Sequence, residues 1–126
     1  KNYKNNTNTI AARPAPSVPF HNAEDWKTII SAMQNVIINP EGTGFRFGRY
    51  PAYTVAAKTG TAQVISRTTT RTFSVLPKKL RDHTLFVGFA PINNPKVAVS
   101  VVAENSKQAP AIARKVIDEY LLKEKK

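Results

Sequence analysis

The sequence predicts an α+β fold: a helix, a three-stranded antiparallel meander and a C-terminal helix laid on the sheet. Three observations carry this. Apolar residues recur at helical spacing over 23–38 and again over about 109–123. Three β-type segments lie between them, at 53–65, 84–91 and 96–104. The last two are separated only by residues 92–95, in which Asn93-Asn94-Pro95 is a tight-turn sequence that suits antiparallel neighbours. Helices segregated from consecutive strands give α+β, with no internal repeat.

Residues 1–22 are polar and then punctuated by Pro14, Pro16 and Pro19, so an extended arm is expected there, ahead of a structured part at 23–126. Asn22, followed three residues later by Asp25, is a helix-start signal. Behind it Trp26, Ile29, Ile30, Met33, Val36 and Ile37 form an apolar stripe, expected to be core, and Asn39-Pro40 stops the helix. The connection 40–52 holds Gly42, Gly44 and Gly48, at a spacing that fits no phosphate-binding loop. The strand at 53–65 follows, then a long polar stretch, SRTTTRTFSVLPKKLRDH. TLFVGFAP, 84–91, is almost continuously apolar, as for a strand covered on both faces. KVAVSVVAE, 96–104, puts Val97, Val99 and Val101 on one face and the small Ala98 and Ser100 on the other, where a helix is expected to pack closely. In the last helix Pro110 fits the first turn, and Ala113, Val116, Ile117, Tyr120 and Leu121 form the buried stripe.

Composition narrows the function classes. At 126 residues, 41% hydrophobic and 21% charged, the chain suits one domain with one modest core. It has no cysteine, which excludes disulfides and thiolate metal sites, and its two histidines, His21 and His83, lie far apart. No metal and no cofactor is expected. No apolar run approaches the ~20 residues that span a bilayer. The net charge of +11 invites a nucleic-acid reading, but the basic residues are spread along the chain. The tightest group, Lys78, Lys79 and Arg81, has no aromatic ladder beside it for stacking bases. A general attraction to anionic polymer or membrane surface fits better than specific nucleic-acid recognition.

One segment breaks its own pattern. AAKTGTAQV, 56–64, reads as a buried strand interrupted by Lys58, Thr59, Gly60 and Thr61. Alternation separates Lys58 from the two threonines, which share a face. Paired hydroxyls can bind a carboxylate, and a lysine beside them adds positive charge. Gly60 removes the side chain that would keep an extended ligand off the strand. Together these residues suit an edge strand that accepts a peptide ending in a carboxylate, backbone to backbone. A bare Lys-Thr-Gly could equally be an edge strand whose lysine discourages aggregation.

The surroundings favour the site. K-T-G is one of three motifs shared by penicillin-binding proteins and class A β-lactamases. The order NPEGTG, YTVAAKTGTAQV, LRDHTLFVGFAPINNPKVAVSVVAEN and a final helix resembles the C-terminal part of a penicillin-binding protein transpeptidase domain, of the elongation type. The resemblance runs through nearly the whole chain after the first 20 or so residues. It implies a partial transpeptidase fold in which 53–65 borders the active-site groove. It also implies roles: Lys58 hydrogen-bonds the S-x-N serine and helps proton traffic, and Thr59 and Thr61 hold the carboxylate. The Thr61 N–H forms half of the oxyanion hole, and Gly60 lies along the bound ligand.

The other two motifs are missing. No serine has a lysine three residues on, and no S-x-N occurs. The chain is therefore expected to be a fragment that carries one wall of a site without its nucleophile, and to be inactive alone. By resemblance, the parent is a serine-type D,D-transpeptidase that cross-links peptidoglycan and is inhibited by β-lactams. It would sit at the periplasmic face of the bacterial inner membrane, with stem peptides as substrates and a membrane glycosyltransferase of the elongation complex as partner. The alternatives are a basic non-catalytic module for anionic polymer, or a β-lactamase or penicillin-sensing domain. Asp82-His83 could be a catalytic pair, but adjacent strand residues point to opposite faces, so a structural His83 is expected. Glu104, Asp118 and Glu119 are expected to be solvated or ion-paired. The strand 96–104 would have an open edge rich in valine, guarded only by Lys96, so self-association, readable by light scattering, is expected.

Overall fold

A computed structural model describes residues 16, 17, 19, 22–48, 52–65 and 76–123. The expected arm at 1–22 lies almost wholly outside the described residues, as do 49–51 of the glycine-rich connection and 66–75 of the polar stretch.

Helix α1 spans Ala23–Ile38, with the Asn22 side chain accepting from the Glu24 N–H at its start. That satisfies one of the donors a helix N-terminus leaves open. Glu24 and Asp25 in the first turn complement the helix dipole. A 3-10 turn at Phe45–Phe47 leads to strand β1, Ala56–Ala62, shorter than the expected 53–65. A second 3-10 turn, Lys78–Leu80, precedes β2, His83–Ala90. Strand β3 is Val97–Ala103 and helix α2 is Ala109–Lys123. The strands form one antiparallel sheet in the order β1-β2-β3. The meander is as expected. Among the described residues β1 and β3 are both edges.

Register decides the two faces. Ala57 pairs with Gly88 and Gly88 with Val99, while Thr59 pairs with Phe86 and Phe86 with Val101. That face is the core side. Phe86 stacks on Phe47 with ring centroids 5.5 Å apart, and Ile37, Ala57, Ala90, Ala109, Ala113 and Ile117 close around them. Val97, Val99 and Val101 pack against the same cluster. The opposite face carries Lys58, Gly60, Leu85, Val87, Ser100 and Val102, and Val87 and Val102 are 51% and 60% exposed. Toward one end of this face Ala56 is buried and Phe89 half-buried.

Three expectations are corrected here. β2 is covered on one face, not both: Phe86 is buried, while Leu85 and Val87 are exposed. A continuous apolar run satisfies either arrangement, so the run itself could not separate them. The helix packs on the valine side of β3, leaving Ala98 and Ser100 exposed. Branched side chains bury more apolar area than alanine and serine, and burial of that area decides the side. Both helix stripes are also narrower than expected. Trp26, Ile29, Val116 and Tyr120 are exposed, and only Ile37 of α1 is fully buried.

Candidate functional site

The segment that interrupts its own apolar pattern lies on the free edge of the sheet. Lys58, Thr59, Gly60 and Thr61 are consecutive in β1, which among the described residues pairs on one side only. Lys58 projects from the open face, and Thr59 and Thr61 from the core side, as alternation requires. Lys58 is exposed, and its Nζ donates to the Thr59 carbonyl at 2.6 Å. Thr59 is half-buried and Thr61 exposed. The strand therefore offers one ammonium and two hydroxyls around an unpaired backbone edge. That arrangement can pair with an extended chain and hold an anionic group at its end.

Gly60 is informative because the fold does not demand it. A Cβ there would meet only Leu85, at 3.4 Å from its Cβ, an ordinary van der Waals distance. Glycine weakens a strand, so its presence at an unobstructed position fits a requirement imposed from outside the sheet.

Thr43 is the residue that sequence reasoning missed. It lies in the connection between α1 and β1, and its Oγ1 is 2.6 Å from Thr59 Oγ1. Its neighbours explain how it gets there. A Cβ on Gly42 would lie 2.5 Å from the Val36 carbonyl oxygen, and one on Gly44 2.7 Å from Ile37 Cδ1. Both glycines are seated on the C-terminal turn of α1, and the Gly44 N–H donates to the Val36 carbonyl at 2.9 Å. The only available signal was the pair of glycines flanking a hydroxyl.

The strand is anchored just before it begins. The Tyr53 hydroxyl donates to Asp118 Oδ1 at 2.5 Å, and Arg114 Nε lies 2.8 Å from both oxygens of the same carboxylate. Arg114 Nη1 also donates to the Phe47 carbonyl, with the guanidinium over the Phe47 and Tyr53 rings. Burial pushes the Tyr53 hydroxyl well above its ordinary pKa, and the bond to Asp118 adds to the rise. This cluster ties α2 to the entrance of β1. The Thr54 hydroxyl, next in sequence, accepts from the Ile92 N–H.

Asp82 and His83 act as hydrogen-bond acceptors: Asp82 Oδ1 takes the Val64 N–H at 3.4 Å. His83 Nδ1 accepts from the Asn105 N–H at 2.9 Å, and Asn105 Nδ2 donates to the Arg81 carbonyl. These bonds hold Asn105 in a left-handed conformation (φ 51°) at the turn into α2, one that asparagine tolerates. Asp118 and Glu119 are ion-paired on α2, with Arg114 and Lys123. Among the described residues no three His, Cys, Asp or Glu side chains converge as a metal site. No helix there is long and apolar enough to cross a membrane.

Comparison with known proteins places these features in a family. The model for the penicillin binding protein transpeptidase domain matches residues 4–121. The chain is similar to the peptidoglycan D,D-transpeptidase MrdA of Salmonella typhimurium, 38% identical over 109 residues, covering 82% of this chain and 17% of that protein. MrdA of Acinetobacter baumannii is 38% identical over 124 residues, or 94% of this chain and 18% of its own length. A crystal structure of Pseudomonas aeruginosa PBP2 superposes with a TM-score of 0.66 at 36% identity, covering 87% of this chain and 22% of the other. The chain thus spans less than a fifth of the curated relatives it matches.

Proposed function

This chain belongs to the penicillin-binding protein transpeptidase family, and from that membership we propose that it is the C-terminal wall of the active site of a peptidoglycan D,D-transpeptidase. One observation carries the reading: Lys-Thr-Gly-Thr stands on an unpaired strand edge whose glycine the sheet itself does not require. A stem peptide ending in D-alanine is an extended chain with a terminal carboxylate, the ligand this edge suits. Backbone pairing along β1 aligns it, and the hydroxyls of Thr59 and Thr61 take the carboxylate.

The chemistry needs a nucleophile from outside this sequence, which contains no S-x-x-K serine. In the parent that serine attacks the carbonyl between the two D-alanines and forms an ester. The amide bond breaks, and the terminal D-alanine leaves with a proton on its nitrogen. An amine from a neighbouring stem peptide then displaces the serine. Lys58 supplies positive charge and a hydrogen bond to the S-x-N serine, and the Thr61 N–H stabilises the developing oxyanion. A β-lactam enters as a carboxylate-bearing mimic of the same peptide. The parent works at the periplasmic face of the inner membrane, beside the glycosyltransferase that makes its glycan strands.

Fluorescent penicillin followed by denaturing electrophoresis tests the assignment. The full-length protein should carry a covalent label and the 126-residue chain none. A label on the short chain would overturn the absence of the nucleophile, and no label on the full-length protein would overturn the transpeptidase reading.

A further inference from the structure

Thr43 has a place in the site that the Lys-Thr-Gly-Thr segment alone does not reveal. Its hydroxyl and that of Thr59 are 2.6 Å apart, so one donates and the other accepts. A carboxylate has no proton and only accepts. For Thr59 to bind one, its own proton must point to the ligand, and Thr43 must then be the donor in the pair. We propose that Thr43 is a positioning residue for the substrate carboxylate. It donates to Thr59 Oγ1, and Thr59 Oγ1–H donates onward to the carboxylate of a stem peptide or β-lactam. The inference rests on the transpeptidase reading and goes beyond it, by assigning a residue outside the strand and the direction of a proton chain.

The geometry supports a built contact. A free threonine hydroxyl rotates among staggered positions and spends part of its time donating to water or backbone. A donor fixed on its oxygen leaves the proton available to the ligand, and successive hydroxyl bonds polarise one another. Thr43 is itself held in place. Gly42 and Gly44 sit against the last turn of α1 at distances no side chain could occupy, and the Gly42 N–H donates to the Asn39 carbonyl at 2.9 Å. Asn39 Oδ1 also accepts from the Glu41 N–H at 2.8 Å. The end of α1 thus presents one hydroxyl to a strand residue sixteen positions later.

The test compares two ligands on the full-length protein: a penicillin with its free carboxylate and the same penicillin as its methyl ester. Acylation rate constants are measured for wild type, Thr43→Val and Thr43→Ser. Loss of one hydroxyl donor should slow acylation by the free acid about 10-fold in Thr43→Val, with the ester changed less than about 2-fold. Thr43→Ser, which keeps the donor, should restore the free-acid rate. The acid-to-ester ratio is taken on one preparation, so a partly unfolded variant does not distort it, and Thr43→Ala provides a second reading if the valine variant is insoluble. An equal loss for both ligands, or no loss for either, overturns the inference and leaves the transpeptidase reading intact. A wild type that reacts with neither ligand overturns that reading, and this inference with it.

Discussion

The two faces of the sheet have opposite characters. The core side is closed by both helices, and its glycine is jammed: a Cβ on Gly88 would lie 2.8 Å from the Ala56 carbonyl oxygen and 3.1 Å from Ala57 Cβ. The other side leaves Leu85, Val87 and Val102 exposed, and its glycine, Gly60, has room for a methyl group. Packing requires the glycine at 88 and does not require the one at 60; in the proposed site, Gly60 leaves room for a ligand. The lesson is that a residue type gains meaning from what surrounds it. Glycine against packed atoms reports packing, whereas glycine beside open space on an edge strand leaves room for another chain to approach closely.

The largest loss of stability is expected at Gly88. Gly88→Ala forces a methyl group into backbone and core atoms that cannot all move, and overpacking of this kind costs roughly 1–3 kcal/mol. Chemical denaturation should show the loss as a lower midpoint at unchanged slope. A neutral Gly88→Ala would mean that the core side is as loosely held as the open one.

A smaller effect is expected where the core side anchors the strand. Tyr53→Phe removes the hydroxyl bond to Asp118 and leaves the ring, so stability near neutral pH should fall by about 1 kcal/mol. The pH dependence has a definite sign. The folded-state pKa of Tyr53 is raised, so the folded chain keeps a proton that the unfolded chain releases near the ordinary phenol value of about 10. Its contribution is fully present below about pH 10 and is lost as pH rises above it. The gap between wild type and Tyr53→Phe should therefore narrow in alkaline urea titrations. A constant gap from pH 7 to 11 would show that burial and the Asp118 bond together do not hold the proton on Tyr53.

Much of the fold was legible in the sequence. Both helices begin and end where periodicity, Asn22 and Asn39-Pro40 put them, because capping and proline are local in their physics. The meander and the edge position of Lys58–Thr61 were legible too, since alternation and a tight turn set strand order. The covered face was not, because β2 is apolar on both sides and only the register with β1 and β3 separates Phe86 from Val87. The Thr43–Thr59 and Tyr53–Asp118 contacts escaped for a related reason. Each joins residues far apart in sequence, 16 and 65 positions, and nothing in the local pattern pairs one partner with the other. The Arg114–Asp118 pair, at helical i,i+4 spacing, could have been read in advance.

The smallest change in stability is expected at Gly60, where one added methyl group should separate folding from function. Gly60→Ala adds a methyl group on the open face, where Leu85 alone lies near, at 3.4 Å. Alanine loses less backbone entropy than glycine in a strand, so the variant should be unchanged or more stable by about 0.5 kcal/mol. In the proposed site of the full-length protein the same methyl group would stand in the path of the ligand backbone. Acylation by penicillin should slow, while thermal and denaturant midpoints hold or rise. Natural sites often trade stability for access in this direction. A Gly60→Ala protein that acylates at the wild-type rate would mean that no ligand passes close to this strand, and the open face would then need another explanation. A variant that loses stability instead would show that Gly60, like Gly88, belongs to the packing of the sheet.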